Sequence, residues 1–546
     1  MTQRGRPGVP RLVLAALVLH LVLVQPNHPA ALTWQAPLLV PLELPVILLT
    51  LMAVRGRLAT TLRLAITGTL TLLAVLKTAD FAMSAALARG FNPVADLALI
   101  EAGLRLLAGT IGPLAAGIAA LGAALAAVGI AVALWWATGV WAAVAVPPGL
   151  TRAAAGTGAL AFAVLATLEI GQALGRWSLP VTPPGAAFTA RVGLERIALA
   201  RETLADLRAF RTAAVQDPYA GVPHLLDGID RDVLVVFVES YGRTSLDTAF
   251  YAERHRATLR RNAAQLERRG LSMVSGLLEA PTRGGQSWLS HATFANGLWI
   301  DDQARYGAAL ASGRETLFHV AGRSGFHTAA VMPQITLDWP ESAMMGFETI
   351  LAADDLGYEG AAFNWVTMPD QFTFTALDRL LRTPETERPV FAQLALGSSH
   401  APWVPVPDLV DWDAIEDGRI FNAMAAGGDP PEEVWRDRDR VRRQYRAAID
   451  YALSTVFSYA ARHAEDPPLM IVLGDHQAAD FVALDDRAQV PIHVIGPPDL
   501  VARVAAWNWT PGLIPDPDTG VIRMDRMRDR LIESFSSAPG IAAPGG

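Results

Sequence analysis

The feature that most constrains this chain is how unevenly charge is spread along it. Five apolar runs, at about 12–25, 35–54, 60–78, 110–141 and 154–173, crowd the first third, whereas nearly all the acidic residues follow position 195. A run of about twenty apolar residues crosses a hydrocarbon core of about 30 Å as a helix, because a helix satisfies its own backbone there. The chain therefore divides into an N-terminal α-helical transmembrane bundle of about five spans and a C-terminal domain built for water. A composition that is 51% hydrophobic and only 18% charged is too apolar for a soluble enzyme of 546 residues. The net charge of -8 belongs to the C-terminal part, and with no basic stripe to offset it nucleic acid is excluded as a partner. Cysteine is absent, so chemistry falls to Ser, Thr, His, Asp and Glu.

Arginine placement orients the bundle. Arg4, Arg6 and Arg11 flank the first run, Arg55, Arg57 and Arg63 surround the junction of the second and third, and Arg152 lies between the fourth and fifth. The first connection has neither Arg nor Lys, which puts the N-terminus in the cytoplasm; Arg89 and Arg105 run against the pattern. No small-residue cleavage site follows the first run, so it reads as a span. Five spans place everything after about 176 outside the cytoplasm. Lys77 and Asp80, at the end of the third run, read as interface charges or as headgroup contacts. The stretch 95–110, with Asp96, Glu101 and Arg105, reads as interfacial, and Trp135, Trp136 and Trp141 as interface anchors. The expected domains are 1–176 in the membrane, 177–228 as linker and juxtamembrane helices (one at about 190–212), and 229–546 as the catalytic domain, with Pro539–Gly546 frayed.

Within 229–546, residues 233–238 (Val-Leu-Val-Val-Phe-Val) and 469–473 (Leu-Met-Ile-Val-Leu) are short continuous apolar runs of the kind found in strands covered on both faces. Further strands are expected at 328–332, 391–396 and 491–495, with helices around 252–269, 314–324, 371–382 and 440–463. That alternation predicts an α/β sandwich with a mostly parallel central sheet, whose ligands sit beyond the C-terminal strand ends.

The two strongest strands end in Glu239-Ser240 and in Gly474-Asp475-His476. Two carboxylates and an imidazole at one sheet edge suit Zn or Mn and, less specifically, Mg. A carboxylate on a helix dipole and a solvated turn histidine are the plainer roles for the same residues. Ser287, after Gly284-Gly285-Gln286, stands where a tight turn starts a helix; it is the nucleophile candidate or a simple helix cap, with Thr282 and Ser290 as rivals. His400, in Ser398-Ser399-His400-Ala401-Pro402-Trp403, follows another strand and is placed to protonate a leaving alkoxide, or else packs in a loop held by Pro402 and Trp403. His291, His319, His327, His463 and His493 lack comparable context; Asp450 and Tyr451 are candidates for supporting the site from behind.

With these residues in place, the chain resembles the alkaline phosphatase superfamily, in its membrane-anchored sulfatase-like branch of lipoteichoic acid synthases and phosphoglycerol transferases. The resemblance covers about 230–500 and rests on Val238-Glu239-Ser240, Gly284-Gly285-Gln286-Ser287-Trp288-Leu289-Ser290, Gly325-Phe326-His327-Thr328-Ala329, Ser399-His400-Ala401-Pro402-Trp403 and Gly474-Asp475-His476. It implies one divalent metal, manganese foremost with zinc or magnesium as alternatives, held by Glu239, Ser287, Asp475 and His476, with His400 on the substrate side. It also implies attack by Ser287 on a membrane phospholipid and transfer of phosphoglycerol or a related phospho-alcohol to an envelope glycan or lipid, at the bacterial inner membrane with the catalytic domain extracytoplasmic. Three departures stand out: the family nucleophile is usually threonine; Glu341 follows Trp339-Pro340 where lipoteichoic acid synthases carry an arginine; and the Cys/Ser-x-Pro-x-Arg signature of true sulfatases is missing around Ser287. The competing readings are a phosphoethanolamine transferase, a phosphodiester or sulfate-ester hydrolase and a non-enzymatic membrane scaffold.

Overall fold

The computed structural model describes residues 7–537 apart from 88, 145, 182, 338 and 384–386, so Arg4, Arg6 and the Pro539–Gly546 tail lie outside the described residues. The chain forms two compact units, Met1–Leu207 and Arg208–Gly546.

The first unit contains α1 (Val9–Val24), α2 (Glu43–Ala53), α3 (Gly56–Leu87), α4 (Leu97–Ile111), α5 (Pro113–Ala142), α6 (Leu150–Ala173) and most of α7 (Phe188–Ala214). Three of them, α3, α5 and α6, are long and apolar enough to cross a membrane, where the hydrophobic runs predicted five spans. The other two apolar helices fall short, at 16 residues for α1 and 11 for α2. The run at 35–54 fails as one helix because its first half is a 3₁₀ turn, Ala36–Leu38, followed by an extended stretch in which Pro41 pairs with Ala186. The segment read as interfacial becomes α4, with Glu101 and Arg105 exposed and paired to each other at 2.6 Å.

Lys77 and Asp80 are buried inside the first unit. The Lys77 ammonium donates to the carbonyls of Val22 and Leu23, at 3.3 and 3.1 Å, and to Thr189 Oγ1 at 2.6 Å, so it caps the C-terminus of α1 and ties it to α7. Asp80 accepts from Phe91 N at 2.9 Å and pairs with Arg196 at 3.2 Å.

The second unit is an α/β sandwich around a nine-stranded mixed sheet. Its strands are β1 (Val233–Val238), β2 (Ser272–Glu279), β3 (His327–Met332), β4 (Thr349–Ala352), β5 (Val390–Leu396), β6 (Leu469–Gly474), β7 (Gln489–Gly496), β8 (Thr510–Pro511) and β9 (Val521–Arg523). The order is β4-β3-β5-β1-β6-β7-β2-β8, with β9 beside β2. From β4 to β6 every neighbour is parallel, as expected; β7 turns antiparallel to β6 and to β2, and β8 is antiparallel to β2. The uninterrupted apolar run of β1 is explained by burial on both faces. Leu234, Val236 and Val238 enter one core with Tyr251, Leu259, Tyr445 and Val456, while Val233, Val235 and Phe237 enter the other with Phe294, Phe318 and Ile532.

Candidate metal and nucleophile centre

The register of the parallel strands builds the site. Val238 of β1 lies opposite Gly474 of β6 on one side and Leu396 of β5 on the other, so Glu239, Asp475 and the segment beginning at Gly397 leave the same edge of the sheet side by side. Only glycine fits at 474, because a Cβ there would meet the Tyr241 carbonyl oxygen at 1.9 Å. Ser240, at φ 58°, turns the chain sharply; its N–H donates to Asp475 Oδ1 at 2.8 Å, and His476 N–H donates to the same oxygen at 2.7 Å.

Ser287 arrives on the first turn of a separate helix, Ser287–Asn296. Gly284, Gly285 and Gln286 precede it with φ of 73°, 143° and 65°, a run in which the glycines carry conformations that side chains resist. The turn is pinned to the β6 end by Gly284 N–H donating to the Gln477 carbonyl at 2.7 Å. As a result Ser287 Oγ donates to Glu239 Oε2 at 2.9 Å and sits 3.2 Å from His476 Nε2. The rival hydroxyls face elsewhere: Thr282 and Ser290 bond each other at 3.3 Å.

Ligand atoms of Glu239, Asp475 and His476 lie within 4.8 Å of one another. Their electrostatics are frustrated. Burial pushes the Asp475 carboxyl up and the nearby Glu239 carboxylate pushes it further. Burial alone would raise Glu239 as well, but His476, by charge and hydrogen bond, holds it below the ordinary range. Burial opposes charge on His476, yet Asp475 and Glu239 lift it to about 9. His476 Nδ1 is 2.9 Å from the Gln477 carbonyl, which leaves Nε2 facing Ser287 and, at 3.2 Å, Glu239 Oε1. A divalent cation fits this donor set: three hard oxygens and one imidazole nitrogen converge, and two carboxylates, that of Asp475 buried and that of Glu239 partly so, have one imidazole between them.

His400 lies close enough to Glu239 to help lower its carboxyl. Its segment is tied on both sides. Ser399 Oγ donates to the Glu239 carbonyl at 2.7 Å, and Trp403 Nε1 donates to the Ser399 carbonyl at 2.6 Å. Asp370 closes the other side: Oδ1 accepts from Gly397 N–H at 3.0 Å and Ser398 N–H at 2.8 Å, while Asp370 N–H donates to Ser398 Oγ at 2.8 Å. Burial raises the Asp370 carboxyl to about 6. Sequence reading missed Asp370. The available signal was a Pro-Asp pair opening a helix, which is too common to single out.

Other polar residues of the domain have the following surroundings. Asp450 pairs with Arg254 at 2.7 Å and accepts from Thr258 at 2.6 Å. Tyr451 is buried with its hydroxyl unpartnered. Arg283 pairs with Asp480 at 3.2 Å. His327 begins β3, at the opposite sheet edge, beside Glu348 and Arg388. His291 packs on Phe237 with ring centroids 4.1 Å apart, and burial lowers it to about 4.

The family profile described as Sulfatase matches residues 231–481. No curated protein matches the chain in sequence. Among solved structures, a lipooligosaccharide phosphoethanolamine transferase, an integral membrane protein from Neisseria meningitidis, is 14% identical with a TM-score of 0.45, covering 96% of each chain. A lipoteichoic acid synthase from Listeria monocytogenes is 12% identical with a TM-score of 0.38, covering 61% of this chain and 78% of that one. A Streptococcus pyogenes phosphoglycerol transferase, solved with sn-glycerol-1-phosphate, is 14% identical with a TM-score of 0.37, covering 61% and 82%.

Proposed function

We propose, from the premise that this membrane-associated chain carries the sulfatase-like fold of the alkaline phosphatase superfamily, that its C-terminal domain is a metal-dependent transferase. It moves phosphoglycerol or a related phospho-alcohol from a membrane phospholipid to an envelope glycan or lipid. The observation that carries the reading is the Ser287 hydroxyl donating to Glu239 at 2.9 Å within the Glu239, Asp475 and His476 cluster.

Glu239, Asp475, His476 and Ser287 would hold the ion, manganese foremost with zinc or magnesium as alternatives. When bound, it neutralises the clustered carboxylates and stabilises the serine alkoxide. The rest falls to the protein's own groups. Ser287 Oγ loses its proton to solvent and attacks phosphorus, forming a serine-linked phosphodiester as the bond from phosphorus to the diacylglycerol oxygen breaks. His400 supplies a proton to that departing alkoxide. The acceptor hydroxyl then attacks the same phosphorus, its proton returning to His400, and the bond from phosphorus to Ser287 Oγ breaks, returning the serine alkoxide. Water in place of the acceptor gives hydrolysis.

Phosphoethanolamine is the second donor class, favoured by Glu341, which stands in the 3₁₀ turn Pro340–Met344 where an ammonium suits a carboxylate better than an anion does. The domain division that accompanies this reading is 1–176 in the membrane, 177–228 as connection and 229–546 as catalyst, with α3, α5 and α6 crossing the bacterial inner membrane and the catalyst extracytoplasmic.

The test incubates purified full-length protein in lipid with Mn²⁺ and headgroup-labelled phosphatidylglycerol or phosphatidylethanolamine. Diacylglycerol release and label on Ser287 support the reading, and the preferred lipid identifies the donor. Absence of covalent label, with activity intact in Ser287→Ala, sinks it.

A further inference from the structure

The first unit holds a cavity of about 440 Å³ between α2, α3 and α6, closed at one end by the start of α7. Its walls are mostly apolar, with Ile47, Leu70, Ala163 and Ile170 among them and Thr69 and Thr167 the hydroxyl-bearing members. Along α3 it runs from Ala65 to Leu73, about 12 Å at 1.5 Å per residue. That is the reach of about nine methylene groups, or most of one leaflet of a hydrocarbon core about 30 Å thick.

The depth of the cavity follows from the helices around it. Leu150 to Ile170 of α6 span about 30 Å. Arg152 near one end and Arg55, bonded to the Ala142 carbonyl at 2.7 Å, mark the cytoplasmic side by the arginine pattern. At the other end lies a polar layer: Glu43, Lys77, Thr189 and the Glu169–Arg191 pair at 3.4 Å. The cavity hangs beneath that layer, in the outer leaflet. At the α7 end Glu43 lines the cavity beside Thr189 and Ala190. Glu43 Oε1 accepts from Ala190 N–H at 2.9 Å, but Glu43 Oε2 is buried and unpartnered.

We propose that this cavity is a lipid site that takes one acyl chain of an outer-leaflet phospholipid. The chain lies against Ala163 and Ala166, whose small side chains leave the space open. Its glycerol and headgroup rest at the polar layer of Glu43, Lys77, Thr189 and the Glu169–Arg191 pair. Alkyl chains are the solvent at this depth, and a dry apolar space of this length gains dispersion contacts from one that an empty cavity forfeits. The proposal does not rest on the transferase reading.

The test uses full-length protein in nanodiscs containing phosphatidylglycerol with a photoactivatable diazirine on one acyl chain, with the labelled residues mapped by mass spectrometry. Expected is at least tenfold more label on 65–73 and 163–170 than on the exposed α5 positions Leu114, Ile118, Leu121 and Leu125. Ala163→Trp, which fills the cavity, should remove most of that excess and leave α5 labelling unchanged. Even labelling of α5 and the cavity walls in the wild type overturns the proposal, and that comparison holds if Ala163→Trp fails to fold. An excess that persists in a folded Ala163→Trp protein overturns it equally.

Discussion

Two buried polar clusters in this chain invite comparison. In the first unit, Lys77, Asp80 and Arg196 are each matched: the ammonium meets two helix-end carbonyls and a hydroxyl, and the carboxylate meets a guanidinium and a backbone N–H. At the sheet edge of the second unit, Glu239 and Asp475 are crowded together with a single imidazole between them. The first cluster is a finished structure in which charge pairs offset the cost of burial. The second sets two carboxylates against each other across one imidazole, a mismatch that a cation would relieve. Burial alone therefore does not mark function; mismatched burial does.

The sharpest way to break the comparison is at Ser287. Ser287→Ala should lower transfer more than about a thousandfold while leaving the thermal midpoint nearly unchanged, read by diacylglycerol release and calorimetry. A modest loss would make the mismatched cluster a structural oddity.

Neutralising one acid in each cluster should have opposite effects. Asp80→Asn leaves Arg196 unpaired and should destabilise the bundle by about 3 kcal/mol or more. Asp475→Asn keeps the oxygen that accepts from Ser240 and His476 but removes the repulsion, so without metal it should raise the midpoint by about 2–6 °C while weakening metal binding. Melting both variants with and without Mn²⁺ checks the pair of signs, and a fall in both would erase the distinction.

Proton linkage is the next test. With its folded value raised to about 9, His476 contributes stability to the metal-free protein that is fully present below its unfolded value, near 6.5. That contribution fades as pH rises through 9. Metal binding must displace the same proton, so apparent affinity should climb between pH 7 and 9 and proton uptake by the buffer should accompany binding. Calorimetry in buffers of different ionisation enthalpy measures it; affinity flat across that range would mean that His476 is not a ligand.

The smallest effect is expected at Asp370, which holds the segment carrying His400. Asp370→Ala should lower kcat about tenfold with little change in KM, whereas Asp370→Asn, which keeps the oxygen that accepts from Gly397 and Ser398, should stay within about threefold of wild type. Steady-state kinetics of both variants decides; equal losses would show that the clasp does not act through that oxygen.

Much of the candidate site's edge is legible in the order of residues alone. Continuous apolar runs at 233–238 and 469–473 announce strands buried on both faces, and such strands in an alternating α/β chain must end at a common edge. The antiparallel β7 is less legible, because an apolar run reads the same in either direction. The span count fails for a related reason. Apolarity alone does not distinguish a helix from the extended and 3₁₀ backbone at 36–42, whose direction is set by pairing with Ala186.

By itself, the sequence determined the division into a membrane part and a soluble part, the existence of the central strands and the residue types available at their ends, because these depend on local composition and periodicity. Only the tertiary structure decided that Lys77 and Asp80 are buried and matched, that Asp370 clasps the His400 segment, and that Ser287 meets Glu239 across a separation of 48 residues. Those facts depend on which distant backbones share an edge or a helix end, and no local pattern encodes that pairing.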